Sequence, residues 1–315
     1  MNAVISLFGN PSFWFGVVRS TTPLLLAALA ALIAARSGIT NMAIEGIMLF
    51  SALFAVMASY WSGSAWIGLL VALLIGIGLS LSLAYFKLKM DTDEVLVAIA
   101  LNLLAEGATI FLLFIFTGEK ATSASIGSKI LPNINIPLIQ DLPFIGKVLS
   151  GHSVLVYISF ALIFVLNYLL FKTPLGLRIR SVGSNPHAAE SVGISVNKTK
   201  YIALGISGFL AGMAGAYMSM GYMKFFVRGM VAGRGFVGLA ANNVGGRHPI
   251  GAFLASALFG VFESLANNLQ SIVTIPVEFI QMIPYITTIL AYTFFSYRRM
   301  TERQRKAKKL ATSNN

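Results

Sequence analysis

The chain has 315 residues, of which 57% are hydrophobic and 11% are charged, and its formal net charge is +12. Soluble domains carry about 25% charged residues, so this composition excludes an ordinary soluble protein. The basic residues gather at the ends of apolar segments and in the C-terminal tail. That distribution is typical of membrane proteins and does not indicate a nucleic-acid partner.

Long apolar segments predict an all-α polytopic membrane protein. Residues 65–86 and 154–171 contain no charged side chain and are long enough to cross a hydrocarbon core of about 30 Å. A further segment at 231–246 is rich in glycine and asparagine, and is either a crossing or a broken, re-entrant helix. We predict about nine transmembrane segments. Besides the segment at 231–246, these are crossings at 17–35, 39–60, 64–86, 94–117, 153–171, 201–222, 250–270 and 279–297.

The distribution of Lys and Arg predicts which side of the membrane each loop faces. The basic tail at 298–315 has seven basic residues and one acid, and residues 172–200 have five and one. Both are expected in the cytoplasm, with the tail following a transmembrane domain at 1–297. Counting back makes the loop at 118–152 extracellular and requires 231–246 to cross. We therefore expect a multi-pass protein of the cell membrane with a cytoplasmic C-terminus.

The cytoplasmic loop at 173–200 contains the signals of one short helix. Asn185 can cap a helix that begins at Pro186, and Gly193 can end it. The segment between them, at 188–190, is suited to the first turns. A short helix on the cytoplasmic face needs a partner to cover it.

Polar residues within the predicted spans are candidates for a solute path. Three pairs stand four residues apart: Asn41 with Glu45, Asn102 with Glu106, and Glu263 with Asn267. Such pairs share a helix face. They indicate either a polar path or interhelical hydrogen bonds, which contribute about 0.6 kcal/mol on average. A carboxylate near a helix centre in a bilayer costs at least about 2.5–3.5 kcal/mol. Glu45 is the strongest functional candidate, although Arg36 is near enough in sequence to pair with it instead.

The segment at 231–246 adds Phe236, Asn242 and Asn243, which suit a polar, ring-bearing solute and a helix junction equally well. Its glycines at 233, 235 and 238 match a dinucleotide-binding fingerprint by letter. That fingerprint needs a preceding strand and an acidic residue about 20 residues later, and the sequence around these glycines indicates neither feature. The sequence also lacks a P-loop, cysteine ligands and a shared histidine spacing, so we expect no cofactor, no metal site and no enzyme activity.

Four glycines in the span at 201–222 recur at spacings of three and four: Gly205, Gly208, Gly212 and Gly215. They predict a close helix–helix contact. Whether that contact is internal or with a second subunit is left open by the pattern.

Three segments carry a resemblance to a known family. Residues 37–48 resemble the Ser-Gly-x-x-Asn-x-x-x-Glu-Gly-x-Met signature of ABC importer permeases. Residues 229–240 resemble the Gly-Met-x-x-Gly-x-Gly-Phe-x-x-Leu-Ala pattern of the nucleoside branch, which is linked to basic-membrane-protein-type lipoproteins. Residues 176–194 resemble the coupling loop of the wider branched-chain amino acid, ribose and nucleoside group. The likeness runs from about residue 22 to 295, and the polar stretch at 241–246 departs from it.

The resemblance implies a permease subunit of an ATP-driven importer of nucleosides, with purine nucleosides first and pyrimidine nucleosides as a further class. The implied partners are an ABC ATPase subunit, a second homologous permease, an extracytoplasmic substrate-binding lipoprotein and membrane lipid. ATP hydrolysis would belong to the ATPase. The implied coupling residues are Gly176, Arg178, Gly183, Asn185, Pro186, Ala188, Ala189 and Gly193.

Other functions remain open on the sequence. A permease for simple sugars or branched-chain amino acids would share the same architecture. An ion-coupled secondary transporter would use Glu45, Glu106 or Glu263 as its coupling carboxylate. Such transporters usually have two interrupted helices in corresponding places, and only one is evident here. A non-transporting assembly subunit would not need three acids in its spans.

Overall fold

The computed structural model describes residues 9–137 and 144–270, together with the single positions Ile286 and Thr293. Within these ranges the chain folds as a bundle of α-helices, and seven of them are long and apolar enough to cross a membrane. The chain is therefore a mostly helical, multi-pass membrane protein. Apart from the two single positions, the predicted crossing at 279–297 and the tail at 298–315 lie outside the described residues.

Each predicted crossing other than 231–246 and 279–297 coincides with one long helix. These helices are α1 (Pro11–Arg36), α2 (Ile44–Ser62), α3 (Ala65–Lys89), α4 (Glu94–Thr117), α6 (Val154–Lys172), α9 (Val196–Tyr217, continued by a π-helical turn at Met218–Tyr222) and α11 (Pro249–Leu269). The shorter elements are β1 (Asn133–Ile134), α5 (Ile145–Leu149), β2 (His152–Ser153), α7 (Pro174–Ser184), α8 (Pro186–Ser191) and α10 (Arg234–Val244). The two strands pair antiparallel.

Helix α1 runs through the centre of the bundle, where α9, α10 and α11 pack around it. Every residue from 24 to 34 is buried. The helix begins at Pro11 rather than at residue 17, because Asn10 accepts a hydrogen bond from the Ser12 amide (3.0 Å) and proline suits the first helical position. Its earlier start places Arg19 in the third turn of the helix rather than in the first.

The glycines of α9 form an internal contact with α3 and α2. A side chain at Gly208 would clash with the carbonyl oxygen of Gly76, and one at Gly212 would come within 2.7 Å of the Ala72 carbonyl oxygen. Gly215 lies against the Met48 carbonyl in the same way. Small residues let the backbones approach this closely. The glycine face is thus used within the chain rather than for a second subunit.

Helix α10 is too short to span a bilayer. Its 11 residues rise about 16 Å, which is about half of a hydrocarbon core of about 30 Å. Turns rather than a regular helix lead into it from residue 223, and it packs between α1, α2 and α11. The loop from α4 covers these turns, since Thr122 forms a bridge with Val227 and the Ser123 amide donates to the Phe226 carbonyl (2.9 Å).

Candidate functional site

The connection between α1 and α2, at residues 37–43, is buried in the bundle. The Asn41 side chain is fully buried and donates to the hydroxyl of Ser207 (3.0 Å) and, more weakly, to that of Ser80 (3.4 Å). Its oxygen accepts from the Ala43 amide (3.1 Å). The prediction that Asn41 and Glu45 point from one helix face is wrong, because α2 begins only at Ile44 and Asn41 lies in the connection. Asn41 instead ties this connection to α3 and α9.

Glu45 binds the beginning of α10. One carboxylate oxygen accepts from the Gly233 amide and the other from the Gly235 amide, both at 2.7 Å. These are amides at the N-terminus of a helix, where intrahelical partners are missing and the helix dipole favours a negative charge. Glu45 therefore caps α10 from another helix. Arg36 is not its partner, since the Arg36 guanidinium donates to the Arg247 carbonyl (2.8 Å from Nε).

The glycines near Glu45 have a geometric role. Gly233 adopts a left-handed conformation (φ 79°), and a side chain at Gly235 would come within 2.8 Å of the Glu45 carboxylate. Both positions thus require glycine for the contact with Glu45. Turns, and no strand, lead into α10 within the described segment at 223–233, which removes the dinucleotide interpretation.

Two arginines complete a polar cluster around Glu45, which we call the Arg234 cluster: Arg19, Glu45, Tyr222, Arg234 and Glu263. Arg234 forms an ion pair with Glu263 (2.9 Å from Nε), and their side chains are 17% and 12% exposed. Arg19 and Arg234 lie over the Tyr222 ring, at 4.5 and 5.6 Å from its centre. Arg19 also donates to the Tyr222 carbonyl. Two arginines and two glutamates balance in charge, which limits the cost of burying them.

Sequence reasoning missed Arg19 and Arg234. Both stand within predicted spans or at their edges, and a cation in such a position is a functional candidate in its own right. That signal was present for Arg234, since the segment at 231–246 contains no other charged residue.

The second predicted pair, Asn102 and Glu106 on α4, separates in the structure. The Asn102 amide accepts from Gly46 (2.8 Å) and donates to the Met42 carbonyl (3.0 Å), so it fastens α4 to the beginning of α2. Glu106 is exposed at the middle of α4, and its carboxylate has no hydrogen-bond or ion-pair partner among the residues described.

The remaining path candidates also divide between buried and exposed positions. Phe236 is 49% exposed, and Asn243, two turns later, is partly exposed on the same side of α10. Asn242 faces inward, and its Oδ1 atom is buried without a hydrogen-bond partner among the residues described. In the third predicted pair, Glu263 binds Arg234 while Asn267 is exposed.

The predicted cytoplasmic helix is present as α8. Asn185 accepts from the Ala188 amide (3.1 Å), Pro186 is the first residue, and Gly193 follows the helix in a left-handed conformation (φ 81°). Ala188 is exposed, whereas Ala189 is 3% exposed and packs inward. A cavity of about 370 Å³ lies between α8 and the beginning of α9.

Three other candidate coupling residues lie on α7. Arg178 is exposed. Gly176 and Gly183 are packing positions, because side chains there would clash with the Leu169 and Arg36 carbonyls respectively. The segment at 173–200, which was predicted to be cytoplasmic, is therefore packed against the ends of α6 and α1. In the described part of the chain, no group of three or more His, Asp or Glu residues is arranged to hold a metal ion.

Comparison with known proteins places these features in a family. The family described as "Branched-chain amino acid transport system / permease component" matches residues 13–292. The guanosine ABC transporter permease protein NupQ of Bacillus subtilis is 37% identical and aligns over 87% of this chain and 88% of its own length. The nucleoside ABC transporter permease protein NupC of Lactococcus lactis subsp. cremoris is 34% identical over 87% and 89%.

A solved structure supports the fold. An inward-facing ABC transporter of the metal-chelate type has a TM-score of 0.51 and 17% identity, covering 91% of this chain and 85% of that chain. At that identity the likeness concerns the fold alone. The chain belongs to the family of permease components typified by branched-chain amino acid transport systems.

Proposed function

We propose that this chain is the permease subunit of an ATP-driven importer of nucleosides. The observation that carries the proposal is the similarity to guanosine and nucleoside permeases over nearly the whole chain, at 37% and 34% identity. A glucose permease of Haloferax volcanii is also similar, at 29% identity, so simple sugars are the second candidate substrate. Among the nucleosides, purine nucleosides are the first candidate substrates and pyrimidine nucleosides the second.

ATP hydrolysis takes place in a separate ABC ATPase subunit under this proposal. The absence of a P-loop from the sequence supports that division. Helix α8 is the proposed coupling element, since it is short, lies between predicted cytoplasmic ends of spans, and exposes Ala188. A second homologous permease and an extracytoplasmic lipoprotein that delivers the nucleoside complete the proposed importer.

The segment at 223–244 is proposed as a broken crossing that brings the chain back to the cytoplasm. Irregular backbone persists at membrane depth only where protein covers it or where it lines a cavity. The turns before α10 are covered by the loop from α4, and Glu45 satisfies the amides where α10 begins. This arrangement keeps the C-terminus cytoplasmic and gives about nine transmembrane segments when the crossing at 279–297 is included.

The proposed solute path lies along the open faces of α4 and α10, with Glu106, Phe236 and Asn243 nearest to the solute. A carboxylate at mid-span is costly against lipid, so the open side of Glu106 is expected to face water or a partner subunit. An aromatic ring and an amide on one helix face suit a nucleobase. Asn41, Asn102 and the ion pair of the Arg234 cluster act in holding the helices together.

Uptake of radiolabelled guanosine tests the proposed function. A strain without this gene is expected to lose ATP-dependent guanosine uptake and to regain it with the wild-type gene. Glucose and leucine uptake measured in the same strains serve as controls. Unchanged guanosine uptake in a strain without other nucleoside importers would reject nucleosides, and uptake that collapses with the proton gradient but survives ATP depletion would favour a secondary transporter.

The coupling role of α8 has a separate test. Ala188→Asp changes an exposed side chain and is expected to abolish ATPase association while the permease stays in the membrane at normal levels. The exposed Lys89 at the end of α3 provides the control variant, Lys89→Gln, which is expected to retain the association. Ala189→Asp is unsuitable, because it would bury a charge within the loop itself. Normal association of Ala188→Asp would contradict the assignment.

A further inference from the structure

Three arginines converge where α1 ends and α11 begins. Arg36 is the last residue of α1, Arg180 lies in α7, and Arg247 stands just before α11. Together with Phe171 and His248 they form what we call the Phe171 cluster. The guanidinium carbons of Arg36 and Arg180 lie 5.8 and 5.0 Å from the centre of the Phe171 ring, and the His248 ring stacks on it at 5.0 Å.

The positive charge of this cluster is not balanced within residues 9–137 and 144–270. The ion pairs in those ranges are Lys87 with Glu94 and Arg234 with Glu263, and neither involves the cluster. Arg36 donates to the Arg247 carbonyl, which fixes the geometry without supplying a negative charge.

The Nε atom of Arg180 is buried and has no hydrogen-bond partner among the described residues. A guanidinium that is partly removed from water needs an acceptor. Arg180 and Arg247 are also close enough to Arg36 for their charges to repel it. The cluster therefore needs an anion, and planar guanidinium groups match the oxygens of a phosphate.

The surroundings of the cluster favour the phosphate of a lipid. Helices α6 and α11 touch through Phe160 and Phe253, whose rings are 5.7 Å apart. Their outer side chains are apolar and well exposed, with Phe164 at 73%, Tyr168 at 65% and Leu254 at 62%. Acyl chains would cover such a surface while the headgroup meets the arginines. Tyr168 lies one turn before Phe171, and tyrosine is enriched at headgroup depth.

We propose that the Phe171 cluster binds the headgroup phosphate of an anionic phospholipid in the cytoplasmic leaflet. The leaflet rests on the predicted orientation, in which residues 172–200, and with them Arg180, face the cytoplasm. Binding ties the ends of α1 and α6 to α7, the helix that leads directly into the coupling helix α8. Lipid composition then affects how firmly the cytoplasmic segment is held.

Native mass spectrometry of the full chain, titrated with phosphatidylglycerol or with phosphatidylcholine of the same acyl chains, tests the proposal. The wild-type protein is expected to retain phosphatidylglycerol in preference. Arg180→Gln and Arg247→Gln are each expected to weaken that preference about fivefold, as suits the loss of one cation at an anionic membrane surface. Lys89→Gln removes an exposed basic residue at the end of α3, outside the cluster, and is expected to bind as the wild type does.

Two further arms separate the possible sources of the anion. Arg247→Lys keeps the positive charge and is expected to keep most of the preference for phosphatidylglycerol. That result would show that the weaker binding of Arg247→Gln comes from the lost charge and not from a disrupted fold. Inorganic phosphate at the lipid concentration is expected not to displace phosphatidylglycerol, and displacement would assign the site to a free anion. An unchanged preference for phosphatidylglycerol in both Gln variants would overturn the proposal.

Discussion

Replacing Glu45 by glutamine probes the contact between α2 and the beginning of α10. The wild-type carboxylate accepts from the Gly233 and Gly235 amides, both at 2.7 Å. Glu45→Gln keeps the length of the side chain and one acceptor oxygen, but its side-chain NH2 group then faces one of the two donating backbone amides. A hydrogen bond to a charged group contributes about 1.5–3 kcal/mol, and an unpaired buried donor costs about 1–3 kcal/mol.

We therefore expect Glu45→Gln to lower the free energy of unfolding by about 2.5–6 kcal/mol, which is the sum of the lost charged hydrogen bond and the orphaned amide. The charge balance of the Arg234 cluster is disturbed as well, because its two arginines then remain with one carboxylate, that of Glu263. Thermal unfolding of the purified permease measures the change. Guanosine uptake at equal membrane levels is expected to fall in parallel.

Glu106→Gln is the matched control, since it removes the same charge from an exposed carboxylate without a partner among the described residues. Its stability is expected to stay within about 0.5 kcal/mol of the wild type. If both variants unfold at the wild-type temperature, Glu45 does not hold α10, and the structural role assigned to it is wrong.

Two other predictions concern packing and the ion pair. Gly208→Ala is expected to destabilise the permease by about 1–3 kcal/mol, because the added methyl group would overpack against Gly76. Gly205→Ala is the control and is expected to leave thermal unfolding unchanged, since the nearest atom to its added methyl group is 3.9 Å away. Equal effects of the two substitutions would contradict the packing of α9 against α3. Glu263→Gln is expected to cost about 3–5 kcal/mol by leaving the Arg234 charge buried and unpaired. The double variant with Arg234→Gln should recover part of that loss in a double-mutant cycle, and strictly additive losses would argue against the pair.

The sequence was sufficient to predict the elements that depend on local chemistry. Apolar length located the seven long helices that the structure describes. The cap at Asn185, the proline after it and the glycine at 193 located α8, because each acts on its own few residues. The glycine spacing likewise located the close contact of α9 but not its partners, which are α3 and α2.

The contacts of the candidate site depended on residues far apart in the chain. Glu45 binds backbone amides nearly 190 residues away, and backbone donors leave no mark in a sequence. The prediction for Asn41 and Glu45 was wrong because two residues spaced four apart share a face only when both lie in the same helix. Here α2 begins between them. The start of α1 was predicted six residues too late, because the cap at Asn10 and the proline after it were not used to locate it.

The most direct measurement of the central claim is guanosine accumulation by the reconstituted importer. The permease would be purified with the proposed ATPase, second permease and binding protein, and placed in liposomes that contain ATP. We expect radiolabelled guanosine to accumulate only with hydrolysable ATP, and unlabelled glucose or leucine not to compete. Accumulation without ATP, or competition by glucose or leucine with none by uridine, would contradict the account.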